Sequence, residues 1–208
     1  MKRPFNKHIA VGIIISGLNN EFLFGRYDGT YKKEIYRKRI NFLGGNYREE
    51  DHSPEGLFRR EITEEFSLLT HKEGPFASEE EINSIRNEIL KKTTPYKDFY
   101  ITIRDNVYPK SILISSVFLA KISPDIFELA RLNINAGRRI VNEGTACIVN
   151  LDEVVSGKFL LVPTAQKIME EFSQVKIPSL EFTSVDYIGK PRKSFSDYLA
   201  EFEITRRK

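Results

Sequence analysis

Residues 53–68 read Ser53-Pro54-Glu55-Gly56-Leu57-Phe58-Arg59-Arg60-Glu61-Ile62-Thr63-Glu64-Glu65-Phe66-Ser67-Leu68, and they specify a helix with two distinct faces. Ser53 suits the N-cap, Pro54 the first helical position, and Glu55 the positive end of the helix dipole. At about 100° per residue, with Glu61 set at 0°, Glu65 falls near 40° and Glu64 near −60°. Three carboxylates therefore share roughly 100° of helix surface. Phe58, Leu69, Ile62 and Phe66 fall at about 60°, 80°, 100° and 140°, an apolar stripe beside the acidic one.

Like charges three or four residues apart repel by a few tenths of a kcal/mol per pair, so the helix has no local reason to gather them. A hard divalent cation supplies one, because Mg²⁺ takes oxygen ligands and keeps waters that a substrate phosphate can displace. The plain alternative is a solvated acidic face neutralised by Arg59 and Arg60. What favours the metal reading is Gly44-Gly45 upstream, separated from the capped helix start by a short loop.

This arrangement resembles the box of the Nudix hydrolases, G-x5-E-x7-R-E-U-x-E-E-x-G-U with U a bulky aliphatic residue. Gly45 stands for the first glycine, Arg60-Glu61-Ile62 for R-E-U, Glu64-Glu65 for E-E and Leu68 for the last U. The sequence departs from the pattern in three ways. His52 occupies the isolated glutamate position, with Asp51 one residue earlier. The stretch from Gly45 to Arg60 is one residue longer than the pattern, so Asp51 can take the acid's place only with a one-residue shift of the loop. Ser67 replaces the closing glycine.

Composition sets the outer bounds. The chain has 208 residues, is 40% hydrophobic and 12% aromatic, and carries a net charge of +3. That supports a real core and argues against disorder. The mildly basic balance suits a small anionic substrate and is too weak to indicate nucleic-acid binding. One cysteine, Cys147, excludes an intramolecular disulfide framework and a cysteine-rich zinc site, and fits a reducing cytoplasm. Lys2, Arg3 and Lys7 before the apolar run Ile9–Leu18 imitate a secretory signal. No small-x-small site follows, and a strand–turn–strand hairpin explains the run better. No segment reaches the roughly 18 apolar residues of a membrane span.

In chain order, Ile9–Ser16 and Glu21–Tyr27 read as paired strands, and Tyr36–Leu43 as a strand delivering the glycines. Leu68–Thr70 could open another strand. Ser78–Lys92 carries a capping box at Ser78 and Glu81 with Ile82, Ile85 and Ile89 at helical spacing. It reads as an inserted helix followed by a tyrosine-rich connector at Thr93–Tyr100. Ile101–Ile103, Ser111–Ile122 and Thr145–Asn150 read as strands, Ser123 to about Leu132 and Val162–Val175 as helices. The expected domain spans residues 1–176, with the helical insertion at about 77–100. Residues 177–208 form a tail or extension with a helix expected at Ser196–Ile204 and a basic end, most simply a solvated terminus. This order suits a mixed sheet between helices, and the resemblance implies a Nudix-type α/β/α sandwich.

The resemblance also implies an activity: Mg²⁺-dependent hydrolysis of a diphosphate linkage in a nucleoside diphosphate derivative, with Mn²⁺ able to stand in. Glu61, Glu64 and Glu65 would hold the metal and Gly45 would supply backbone beside it. Arg60 would orient the glutamates structurally. The proton acceptor would be a box glutamate or one from a later loop. Glu143, just before a strand, is the candidate for the late residue, set against an ordinary loop glutamate. Arg26, Arg37 and Arg39, interleaved with Tyr27, Tyr36 and Phe42, are candidates for phosphate contact and base stacking, against plain strand residues. His52 could touch phosphate or cap the helix. The partner expected is a nucleotide-like small molecule, with no membrane or nucleic acid, and a homodimer is compatible. The rival reading is a Nudix-fold domain that binds a nucleotide-like ligand as a regulatory or interaction module without cleaving it.

Overall fold

The computed structural model describes residues 6–17, 20–32, 34–67, 75–104, 111–178 and 184–190. Strand β1 (Asn6–Ser16) runs through the middle of an eight-stranded mixed sheet. It pairs in parallel with β6 (Ser111–Ile122) along its full length, from Asn6 opposite Ile112 to Ser16 opposite Ile122. On its other side it splits its partners. Residues Ile9–Gly12 pair with β4 (Leu43–Asn46), and Ile14–Ile15 pair with β2 (Glu21–Arg26), both antiparallel. β2 also pairs with β3 (Ile40–Asn41) and with β7 (Thr145–Asn150). Beyond β6 lie β5 (Thr93–Arg104) and, at that edge, β8 (Ser184–Lys190).

Alternate residues of a strand face opposite sides of a sheet, and β1 uses both. Ala10 and Ile14 point to one core layer, Val11 and Ile13 to the other. The first layer is filled by α1 (Pro54–Glu65), α2 (Glu79–Lys92) and α3 (Pro124–Asn135) through Leu57, Phe58, Ile62, Ile82, Ile85, Ile89, Phe127 and Ala130. The second is closed by Val154 of the short α4 (Leu151–Val155) and by Ala165, Ile168 and Met169 of α5 (Pro163–Ser173). The result is an α/β/α sandwich. Phe58 shows why α1 sits where it does. It is fully buried and its ring stacks on Phe118 of β6 at 4.8 Å. Burying a side chain of that size stabilises by about 1.5–3 kcal/mol.

The helix starts follow the sequence closely. Ser53 Oγ accepts the Gly56 N–H at 2.9 Å. Ser78 and Glu81 close the reciprocal capping box ahead of α2. Two strand expectations are corrected. Tyr36–Leu43 is not one strand: Glu34–Tyr36 is a 3-10 turn, Lys38 takes a left-handed φ of 63°, and only Ile40–Asn41 joins the sheet before β4. The connector expected at Thr93–Tyr100 is strand, the first part of β5, with a bulge between Pro95 and Lys97. The helix before it packs into the first core layer through Ile82, Ile85 and Ile89. Within 177–208, read as a tail or extension, Ser184–Lys190 adds β8 to the sheet. Leu68–Thr70 and the expected helix Ser196–Ile204 lie outside the described residues.

Candidate active site

Gly44 carries a φ of 139°, and a Cβ there would lie 2.1 Å from the Ala10 carbonyl oxygen. Only glycine lets β4 lie against β1 and turn at this point. At Gly45 the space is taken by Glu61 of α1, because a Cβ would fall 2.1 Å from Glu61 Oε2. The paired glycines therefore bring bare backbone against the acidic face of the helix, as their spacing in the sequence suggests.

Arg60 joins the loop to that helix. Its Nε and Nη2 donate to Asp51 Oδ1 and Oδ2 at 2.9 and 2.8 Å, and Nη2 also reaches the Asn46 carbonyl at 2.9 Å. Nη1 donates to Glu61 Oε1 at 2.8 Å and to Glu64 Oε2 at 3.3 Å. Asp51, separated from Gly45 by the pattern's five residues, is thus the acid that Arg60 holds, and the extra loop residue lies after it, between Asp51 and Arg60. Its side chain is 3% exposed. Burial alone would raise the Asp51 carboxyl, but the Arg60 hydrogen bonds and the Arg48 N–H outweigh it and hold the group below its ordinary range. Asp51 in turn drives Arg60 further toward its charged form. The Glu61 carboxyl is pushed the other way, upward, chiefly by burial and against the pull of Arg60. A buried carboxylate of this kind is stabilised by any further cation brought beside it.

Those two observations, Glu61 seated on Gly45 and Asp51 clasped by Arg60, bring the glycine pair, the loop and the acidic helix together. The α/β/α sandwich has the layers that the Nudix resemblance implies. Its cleft, about 450 Å³, is lined by Gly44, Gly45, Glu61, Glu64 and Glu65 together with Glu143, Asn142 and Arg48. Tyr27, Tyr31, Tyr36 and Asn41 also line it. Tyr27 stacks on Tyr31 at 4.0 Å and on Tyr36 at 6.4 Å, and its hydroxyl accepts from Asn41 Nδ2 at 3.1 Å. Burial first, then the neighbouring tyrosines, keeps the Tyr27 hydroxyl protonated well past its usual range.

Glu143 is brought to the site by its backbone. Its N–H donates to Glu65 Oε2 at 3.2 Å, and the Asn142 N–H donates to the Glu65 carbonyl at 2.7 Å. Arg139 holds this loop from below, donating through Nη2 to the carbonyls of Asn142 and Gly144 at 3.1 and 2.9 Å. Among the described residues, no three acidic, histidine or cysteine side chains already converge on one point. Glu64 lies instead in a two-pronged contact with Arg48, both bonds 2.8 Å. The donor set nonetheless fits a hard cation, with the carboxylates of Glu61, Glu64, Glu65 and Glu143 and the Gly44-Gly45 backbone lining one cleft and no sulfur among its described lining residues.

Arg26, Arg37 and Arg39 are not among the cleft-lining residues. Arg26 Nε donates to the Lys38 carbonyl at 3.2 Å, and Arg37 bonds the Tyr31 carbonyl and Glu34. Both buttress the loop that presents the tyrosines. His52 is exposed beside the cap, and Ser53 does the capping. Sequence reading missed Arg48, Tyr31, Asn41 and Asn142. For Arg48 a signal existed, a lone cation inside the glycine-to-helix loop. For the other three it did not, since only the tertiary fold brings them to the acidic helix.

No protein-family model and no curated protein matches the chain. Solved structures do resemble it. The MutT protein from Methanosarcina mazei Go1 aligns at 14% identity and a TM-score of 0.47, covering 84% of this chain and 96% of that one. The E. coli ORF135 protein aligns at 12% and 0.43, covering 82% and 91%. A bifunctional NMN adenylyltransferase/ADP ribose pyrophosphatase from Francisella tularensis aligns at 12% and 0.44, covering 81% of this chain and 41% of that one.

Proposed function

We propose that this chain is a Nudix-type pyrophosphohydrolase that uses Mg²⁺, or Mn²⁺ in its place, to cleave a diphosphate linkage in a nucleoside diphosphate derivative. One observation carries the reading: Glu61, Glu64 and Glu65 enter the same cleft as the bare Gly44-Gly45 backbone and a stacked tyrosine wall. Glu61, Glu64 and Glu65 would hold the metal, with the Gly45 backbone beside it. A bound divalent cation supplies charge neutralisation and Lewis acidity at a phosphoryl group. Arg60 sets the bearing of Glu61 and Glu64 by ion pairing. Glu143, which lines the cleft and is tied to Glu65 through its own N–H, would take the proton of an attacking water, with Glu64 the box alternative. Tyr27, Tyr31 and Tyr36 offer ring faces against which a planar base can stack.

The test is release of phosphate or nucleotide from a panel of nucleoside diphosphate derivatives in Mg²⁺. Wild type is compared with Glu64→Gln and Glu65→Gln. Turnover in the wild type and a fall of at least about a hundredfold in both variants is expected. Tight ligand binding without turnover in the wild type would establish the binding-module reading instead.

A further inference from the structure

Arg48 stands in the loop between β4 and α1. Its backbone N–H donates to the buried Asp51 at 2.8 Å, which fixes the base of the side chain. The guanidinium reaches into the cleft, where Nη1 and Nη2 meet Glu64 Oε1 and Oε2 at 2.8 Å each. This fork-to-fork contact occupies both oxygens of a carboxylate whose neighbours Glu61 and Glu65 line the same cleft. The pair is also easy to part. Arg48 is 49% and Glu64 42% exposed, and pairs so open to solvent contribute little to stability. A cation arriving at Glu64 competes for the same lone pairs and repels the guanidinium across a few ångströms. Once released, the planar fork keeps its anchored stem, and it matches the oxygens of a diphosphate as well as it matches a carboxylate. Among the described residues, Lys7 is the only other cation lining the cleft.

We propose that Arg48 serves two partners in turn. It neutralises Glu64 while no cation is held there, and it contacts the substrate's diphosphate once the cation has taken Glu64. The inference rests on the hydrolase reading of the site. It predicts that one substitution moves two affinities in opposite directions, which a merely structural role would not do.

The experiment measures Mn²⁺ uptake by electron paramagnetic resonance on full-length wild type, Arg48→Ala and Arg48→Lys, without substrate. Binding of methylenediphosphonate at saturating Mn²⁺ follows for each. Arg48→Ala should bind Mn²⁺ about two- to fivefold more tightly, the scale of an exposed ion pair. It should bind methylenediphosphonate about tenfold or more weakly. Arg48→Lys, which keeps the charge without the fork, should fall between the two on both readouts and guards against a misfolded alanine variant. If wild type binds Mn²⁺ and Arg48→Ala binds it no more tightly, or if diphosphonate affinity is unchanged, the inference is overturned and the hydrolase reading stands. If wild type takes up no Mn²⁺, the reading of the site falls, and the inference with it.

Discussion

Asp51 and Arg60 form the contact on which the site's shape depends most directly. Asp51 is 3% and Arg60 17% exposed, and four of the Arg60 hydrogen bonds run to Asp51, Glu61 and the Asn46 carbonyl. Removing one partner of a buried pair leaves the other charged and poorly solvated. Asp51→Asn preserves volume but removes the charge, and it should destabilise the fold by about 2 kcal/mol, read as a lower urea midpoint at unchanged slope. Gly45→Ala tests the opposite side of the same residue cluster. Its methyl group would occupy the space of the Glu61 carboxyl. Mn²⁺ affinity should fall at least tenfold while the far-ultraviolet circular dichroism keeps its native shape. An unchanged affinity would mean that Glu61 has no part in holding a cation. The sequence shows these residues but not their pairing. Asp51 stands out as the acid that a one-residue shift could bring into place, and its contacts with Arg60 put the extra residue after it, between Asp51 and Arg60.

Elements were legible where local chemistry and tertiary packing agree. α1, α2 and α5 each begin at proline or a capping serine and carry apolar residues at helical spacing, and all three form near the expected bounds. Tyr36–Leu43 misled because alternation of polar and apolar residues says nothing about φ. Lys38 N–H donates to the Tyr27 carbonyl, and the Tyr27 N–H donates to that of Arg39, so the chain closes a turn where a strand was expected. Thr93–Tyr100 misled in the other direction. Pro95 and many polar residues discourage a strand assignment, but Pro95 sits at a bulge, where a missing N–H is tolerated. The loop at 142–144 is an element in its own right, held by Arg139 through the carbonyls of Asn142 and Gly144 and by Glu65 through the N–H groups of Asn142 and Glu143. Arg139→Ala should lower turnover by about tenfold through loss of Glu143 placement, with a shift in the thermal midpoint of only a few degrees. Equal turnover in wild type and variant would remove Glu143 from the reaction.

For the molecule as a whole, the single thiol reports on the integrity of the sheet. Cys147, on β7 opposite Phe24, is half-buried, and burial pushes its thiol up from 9.0 to about 12. The raised value means that the folded state holds its proton where the unfolded chain has lost it. Stability is therefore unaffected below about pH 9 and declines as the pH climbs from there toward 12. Alkylation by iodoacetamide at pH 8 should accordingly be slow in the native protein and fast in urea, since only the thiolate reacts. Rapid native labelling would show that this part of the sheet opens readily.

The longest register in the sheet joins β1 to β6, with Asn6 opposite Ile112 and Ser16 opposite Ile122. β1 thus has no companion on that side until residues 17–110 have followed it out of the ribosome. At about 5–20 residues per second, β1 waits several seconds with its Ile-rich edge bare. Parallel pairing across such a distance closes slowly. In a cell, the hazard for this protein is greatest during synthesis, and any variant that delays β6 should show its defect as lost yield before it shows one in the purified fold.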